Sequence, residues 1–339
     1  MIINMHGDGY NSIDGGWFLV NGEDQDMIRE KYEAVWKQIA ERFAKYDEHL
    51  IFESMNEESD GTYDGDPNKE YYANLNQYNQ IFVDTVRGTG EKNTHRWLLV
   101  PGWNTNIEYT VGDYGFEMPT DEKCSAGESR MMVSVHYYDP WDYCGIEDLK
   151  TILWGEYGDN LIEVNGFPKM NKAKWGDESY LDDLFSRMQE KFVKNDIPVI
   201  IGEYGCIDKS SAYADFAGQI QGNRAYWDGY VAGKAASMGM IPVYWDNGFN
   251  GVYGFGLFDR NTYEQTQPEI ISTILKAVKN KDPKAGLDTV VENKAEKTCI
   301  HRHSDGSLHI PEHLQRCQVR QGHGLLQHTD QVGRGRPDH

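Results

Sequence analysis

Between residues 27 and 46 the apolar side chains fall three and four positions apart. Ile28, Tyr32, Val35, Trp36, Ile39 and Phe43 share one face, which predicts an amphipathic helix. The same spacing predicts helices near 69–88, 179–195, 222–238 and 268–280, the second of these burying Leu181, Leu184, Phe185, Met188 and Phe192. Between the helices lie short runs with an apolar centre: HLIFES (49–54), WLLVP (97–101), MMVSVHYY (131–138), PVIIGE (198–203) and MIPVYWD (240–246). The chain opens on a similar run, Ile2 to His6, which reads as a sixth short buried strand. Runs of four to eight residues without alternation are buried on both faces. Alternating with amphipathic helices, they predict an α/β fold with a parallel sheet wrapped by helices.

The pattern stops before the chain does. No Phe, Trp or Tyr follows Tyr263, and from residue 298 onward there are five Arg, no Lys and seven of the eleven His. That segment has neither a 3.6 nor a 2.0 apolar period, so an unstructured tail over 298–339 is expected, joined by a connector over 283–297 to a catalytic region over 1–282. The abrupt change in basic-residue usage is of the kind a frameshift or a junction produces. Cys299, His301, His303, His309, His313 and Cys317 fall in this tail, but their spacing matches no tight zinc pattern and no core surrounds them. No metal and no cofactor are expected.

Charge narrows the partners. The 339 residues carry 54 acidic and 33 basic side chains, a net of −21, which argues against nucleic acid and against an anionic membrane surface. No apolar run approaches the roughly 20 residues of a membrane span. Aromatics make up 12% of the chain, while the mean hydropathy is negative. Flat aromatic faces on a polar chain suit an uncharged polar ligand, carbohydrate first. Five Cys are an odd number and define no disulfide framework, although Cys124 and Cys144 could pair across a loop. A monomer is expected.

Candidate chemistry sits at the strand ends. In a closed α/β barrel the active site forms at the C-terminal ends of the strands. Here those ends carry His6, then Asn56 and Glu57, then His136 and Tyr138, then Glu203 and Tyr204, then Trp245 and Asp246. Two carboxylates, one early and one late, can face each other across a barrel mouth. Such a pair is the minimum equipment for glycoside hydrolysis: one protonates the leaving oxygen, and the other attacks the anomeric carbon or activates water.

The segments NMHGDGY (4–10), WKQIAERFAKYDEHLIFESMNE (36–57), VRGTGEKNTHRWLLVPGWNTN (86–106), SVHYYDPWDY (134–143), VIIGEYG (199–205) and YWDNG (244–248) resemble glycoside hydrolase family 5, the cellulase-type (β/α)8 enzymes, and especially its subfamily 4 endoglucanases and xyloglucanases. The ordered set Asn-Glu, His-x-Tyr and Gly-Glu-Tyr-Gly is specific, and the resemblance covers about residues 1–280. It implies a retaining endo-β-1,4-glucanase acting on β-glucan polysaccharide, with Glu57 as acid/base and Glu203 as nucleophile. It also implies that Asn56 bonds the sugar 2-hydroxyl, Tyr138 bonds Glu203, His136 orders the acid/base, Trp245 forms the floor under the reacting sugar and His6 bonds its hydroxyls. A nucleophile wants a pKa lowered by hydrogen bonds and an acid one raised by burial.

Set against the family, the strand ending in His6 matches the third of eight. An incomplete TIM barrel is therefore expected, with units three to eight present and two units of roughly 30 residues each, carrying strands one and two and an Arg near the nucleophile, missing. Such a barrel would close poorly, with two open edges. Alternative readings are a catalytically weak remnant that only binds glycans, and a related barrel enzyme acting on mannan or xylan. Relatives act outside the cell, so the native full-length protein is expected to be extracellular, although no signal peptide opens this chain.

Several residues also have a plainer reading. Glu58 reads as a solvated loop charge and Glu53 as a strand residue pointing into the barrel. TILWGEYGD (151–159) repeats the Gly-Glu-Tyr-Gly string around Glu156, but Glu156 reads as a long-loop residue, because only Glu203 follows a β-branched strand preceded by a helix. Trp36 is expected in the core. Trp17, Trp103, Trp141 and Trp154 fall in expected mouth loops and are sugar-platform candidates. Cys206 reads as a small buried thiol.

Overall fold

Six strands form one all-parallel sheet in sequential order, β1 (Ile2–Asn4), β2 (Ile51–Glu53), β3 (Leu98–Asn106), β4 (Met131–Tyr137), β5 (Val199–Tyr204) and β6 (Ile241–Tyr244). The helices are α1 (Gln25–Phe43), α2 (Lys69–Gly88), α3 (Ile107–Val111), α4 (Trp141–Cys144), α5 (Gly155–Asn165), α6 (Glu178–Lys191), α7 (Ala217–Ser237) and α8 (Pro268–Asn280). A computed structural model of the chain describes residues 1–6, 16–62 and 65–285. Sequential parallel order with a helical crossover after each strand is the winding of a (β/α)8 barrel, here as an incomplete one. Among the described residues β1 and β6 are not paired with each other. Ile241 and Val243, on the last strand, are accordingly 53% and 39% exposed.

The described residues lie in one compact unit, Met1–Asp288. Residues 283–285 of the expected connector follow α8, with Pro283 packed closely against Gly233 of α7, so that a Cβ on that glycine would meet the Pro283 Cα at 2.7 Å. The rest of the connector, the tail and its Cys/His set lie outside the described residues.

The first two helices fix the strand that carries the Asn-Glu pair. α1 starts on Asp24, whose carboxylate accepts the Met27 N–H at 3.0 Å, and buries Ile28, Tyr32, Trp36 and Ala40 at four-residue intervals. Tyr32 Oη and Trp36 Nε1 both donate to the Ser54 carbonyl, at 2.8 and 3.1 Å. From α2, Asn79 accepts the Ser54 hydroxyl at 2.6 Å and donates to the Pro101 carbonyl at 2.9 Å. Ser54 is thus bonded by both helices, and through Asn79 the end of β2 is tied to β3. The backbone turns out of β2 from that fixed point.

Two elements differ from expectation. β3 runs five residues further than the apolar run, to Asn106, because the chain bulges where Asn104 and Thr105 take φ of 51° and 49° and then rejoins β4 opposite His136. The second Gly-Glu-Tyr-Gly string opens helix α5 instead of a long loop. Glu156 lies in its first turn and pairs with Lys284 on the outer surface at 2.6 Å.

Candidate active site

β4 and β5 are paired and β2 lies one strand away across β3, all parallel, so their C-terminal ends open on the same side of the sheet. Pairing of β4 with β5 sets His136 opposite Glu203 and Tyr137 opposite Tyr204. Gly202 makes the approach possible: a Cβ there would sit 3.2 Å from Ser134 Oγ and 3.4 Å from His136 Nε2, so the bare backbone gives the imidazole its place. The next strand end is tied in as well, with the Trp245 N–H donating to the Tyr204 carbonyl at 2.9 Å.

Glu57, His136 and Glu203 meet at this point. A ring nitrogen of His136 and one carboxylate oxygen from each glutamate all lie within 4.8 Å of one another. His136 Nδ1 is 2.7 Å from Glu57 Oε1 and 3.5 Å from Glu203 Oε2. Tyr138 Oη donates to Glu203 Oε2 at 2.9 Å. Glu57 takes φ of 45°, in the left-handed region that non-glycine residues rarely occupy. The flanking backbone holds it there, with the Asn56 N–H on the Met5 carbonyl and the Asn104 N–H on the Glu58 carbonyl. The Glu57 side chain is 34% exposed and that of Glu203 12%. One carboxylate meets solvent and the other is withdrawn.

The electrostatics partly reverse the expectation for Glu203. Burial raises its carboxyl above the ordinary range, and the negative Glu57 adds to this; the His136 charge and the Tyr138 hydroxyl act in the lowering direction without winning. For His136 burial acts to lower the imidazole, but its bond to Glu57 and the charges of Glu203, Glu57 and Glu53 prevail and raise it. Burial, with Glu203 alongside, keeps Tyr138 firmly protonated and therefore a donor. The same three groups have enough donor atoms to hold a cation, but His136 and Tyr138 already engage both carboxylates.

The remaining expected residues divide. His6 and Trp245 stack with rings 6.0 Å apart and 4° from parallel, across the two outer strand ends. Asn56 is buried beside Glu57. Trp103 is a correction: it is 3% exposed, lies on β3 and packs against Tyr72 in the core, with no face open to a sugar. Trp154 is buried as well, its indole donating to the Gly176 carbonyl. Trp17 is half-buried against the core, with Lys31 Nζ 4.1 Å above its ring. Trp141 stays 51% exposed and meets Tyr138 edge-on.

Three further differences concern polar groups. Glu58 is buried, not solvated; it accepts the Val20 N–H at 3.3 Å, and burial raises its carboxyl well above the ordinary range. Cys144 lies next to Cys206 instead of Cys124, with Sγ atoms 3.5 Å apart. Sequence reasoning also missed Ser134, which donates to the buried Glu53, a carboxylate that Asn4 bonds from β1 at 2.9 Å. A lone Ser in an apolar run carries no signal of its own.

A parallel barrel sheet with two facing glutamates at the C-terminal ends of its strands has the carboxylate pair that glycoside hydrolysis requires. The chain belongs to glycosyl hydrolase family 5: the model of that family, Cellulase (glycosyl hydrolase family 5), matches residues 1–251. It is 49% identical over 282 residues to endoglucanase A of Paenibacillus barcinonensis, covering 82% of this chain and 67% of that one. It is 32% identical to a xyloglucan-specific endo-β-1,4-glucanase of Bacteroides ovatus, covering 82% of this chain and 51% of the other. In structure it is similar to a family 5 xyloglucanase from Paenibacillus pabuli, with a TM-score of 0.75, 51% identity, and coverage of 82% and 75% of the two chains. The chain thus spans about half to two thirds of the length of these curated relatives.

Proposed function

We propose that the protein is a retaining endo-β-1,4-glucanase that hydrolyses β-glucan chains, xyloglucan among them, by double displacement. The observation that carries this reading is the approach of the Glu57 and Glu203 carboxylates to within 4.8 Å. Retention needs carboxyl groups roughly 5–5.5 Å apart, whereas inversion leaves roughly 6.5–9.5 Å for a water between them. The substrate class follows the relatives, an endoglucanase and a xyloglucan-specific endo-β-1,4-glucanase.

In the first half-reaction a Glu203 carboxylate oxygen attacks the anomeric carbon while Glu57 gives its proton to the leaving glycosidic oxygen. A glycosyl ester on Glu203 and a free chain end result. In the second, Glu57 takes a proton from water, whose oxygen displaces Glu203 and restores both groups. The exposures suit these roles, since the acid/base must meet leaving group and water in turn, while the nucleophile needs one fixed line of attack. Tyr138 holds Glu203 by one oxygen and leaves the other for attack. His136 fixes Glu57 from the side through its Nδ1, 2.7 Å from Glu57 Oε1. In this reading Asn56, beside Glu57, meets the 2-hydroxyl, and the His6–Trp245 stack offers a ring and a polar edge for the reacting sugar.

A polymeric substrate places the site of action outside the cell. Among the described residues no helix is long and apolar enough to cross a membrane. Reducing-end release from carboxymethyl-cellulose, xyloglucan, mannan and xylan, with Glu203→Gln as control, tests the reading. Turnover confined to the first two supports it; turnover confined to mannan or xylan, or none that Glu203→Gln abolishes, overturns it.

A further inference from the structure

The loop that leaves β4 and the segment that follows the strand carrying Glu203 come together a second time, beyond the strand ends. Three residues beyond Glu203, Cys206 turns inward; at the end of α4, six residues beyond Tyr138, Cys144 turns to meet it. Their Sγ atoms are 3.5 Å apart, and both side chains are buried. The backbones are joined at the same place, the Ile207 N–H donating to the Cys144 carbonyl at 3.0 Å. Two segments held by a main-chain hydrogen bond, with their thiols in contact, keep the two sulfurs within about 1.5 Å of the bonded separation of about 2.05 Å.

We propose that Cys144 and Cys206 are an oxidation site that closes to an intramolecular disulfide when the chain folds in an oxidising compartment. The bond would staple the segment bearing Tyr138 and Trp141 to the end of the strand bearing Glu203. The chemistry is thiol–disulfide exchange with a small-molecule or protein disulfide. One cysteine, as thiolate, attacks the donor disulfide and releases one donor thiol. The second cysteine, as thiolate, then attacks the mixed disulfide and releases the other. Each cysteine loses its proton, the new S–S bond replaces the donor's, and the two electrons reside in the two donor thiols formed. Burial raises both thiols, Cys206 the more strongly, so the folded reduced protein presents little thiolate. Closure therefore belongs to folding, before the site is covered.

The test uses the full chain carrying Cys124→Ser, Cys299→Ser and Cys317→Ser, which leaves only this pair. The chain is refolded in a glutathione redox buffer and, as an independent source, exported to a bacterial periplasm. Each product is then denatured without reductant for thiol titration and peptide mapping. The expected result is no free thiol, a monomer on a non-reducing gel, and one peptide pair holding residues 144 and 206 that separates on reduction. Two free thiols per soluble chain, or a disulfide-linked dimer, would overturn the assignment. The oxidised monomer should also melt at a higher temperature than the same protein after dithiothreitol; equal melting temperatures would overturn the stapling role.

Discussion

Tyr138 donates its hydroxyl hydrogen to Glu203 Oε2 at 2.9 Å, across the gap between the end of β4 and β5. This bond is among the influences that lower a carboxyl otherwise raised by burial. Tyr138→Phe removes it at little cost in shape. A hydrogen bond to a charged group is worth about 1.5–3 kcal/mol, so kcat/KM on β-glucan should fall roughly 10- to 100-fold. Because the lost bond lowered the Glu203 pKa, the acidic limb of the pH–rate profile should move to higher pH. A profile recorded from pH 4 to 8 checks both.

Stability should also depend on pH, with the sign set by two buried aspartates, Asp139 next to Tyr138 and Asp228 on α7. Burial raises Asp139 to about 6 and Asp228 to about 7, from an ordinary value of 3.8. In that window the folded state binds more protons than the unfolded one, so these groups contribute stability at low pH that is lost as pH rises through their folded values. The melting temperature should decline between about pH 4 and 7 for this reason. Asp228→Asn and Asp139→Asn should each flatten the decline in a calorimetric series.

Glu156 carries the same four-residue string as Glu203 but sits on the outer surface, paired with Lys284 where both side chains are at least half exposed. Glu156→Gln should leave kcat and KM within about twofold and change stability by about 1 kcal/mol or less, as for other exposed pairs. Steady-state kinetics beside those of Glu203→Gln separate the two copies.

Trp103 and Trp141 should part company in the same way. Trp103→Ala opens a cavity against Tyr72 and should cost about 3–5 kcal/mol in denaturant unfolding. Trp141→Ala should cost under about 1 kcal/mol, as surface changes do, and act instead by raising KM for polymer.

The tryptophans show where sequence reading runs out. Trp36, at helical spacing with Ile28 and Tyr32, could be placed in the core because periodicity fixes which face of a helix is inward. Trp103 and Trp154 lie in segments without a period, and nothing local tells a buried indole from an exposed one. Trp103 is buried because β3 extends through a bulge, and Trp154 because Gly176 accepts its N–H. Glu58 fails for a related reason: its burial depends on Val20, 38 residues away. Cys144 finds Cys206, not Cys124, because β4 and β5 are adjacent, a relation visible only once the strands are ordered. The proposed site residues Glu57, His136, Tyr138 and Glu203 are legible because each lies near or just beyond the C-terminal end of a strand, and parallel winding brings all such ends to one side.

The double-displacement reading is tested most directly by trapping. The protein is incubated with a 2-deoxy-2-fluoro cellobioside bearing a good leaving group, then digested and mapped by mass spectrometry. A fluoroglycosyl ester on the peptide at Glu203, absent from Glu203→Gln, is the predicted result. Turnover without any covalent adduct, or an adduct on Glu57 or Glu156 instead, would contradict it.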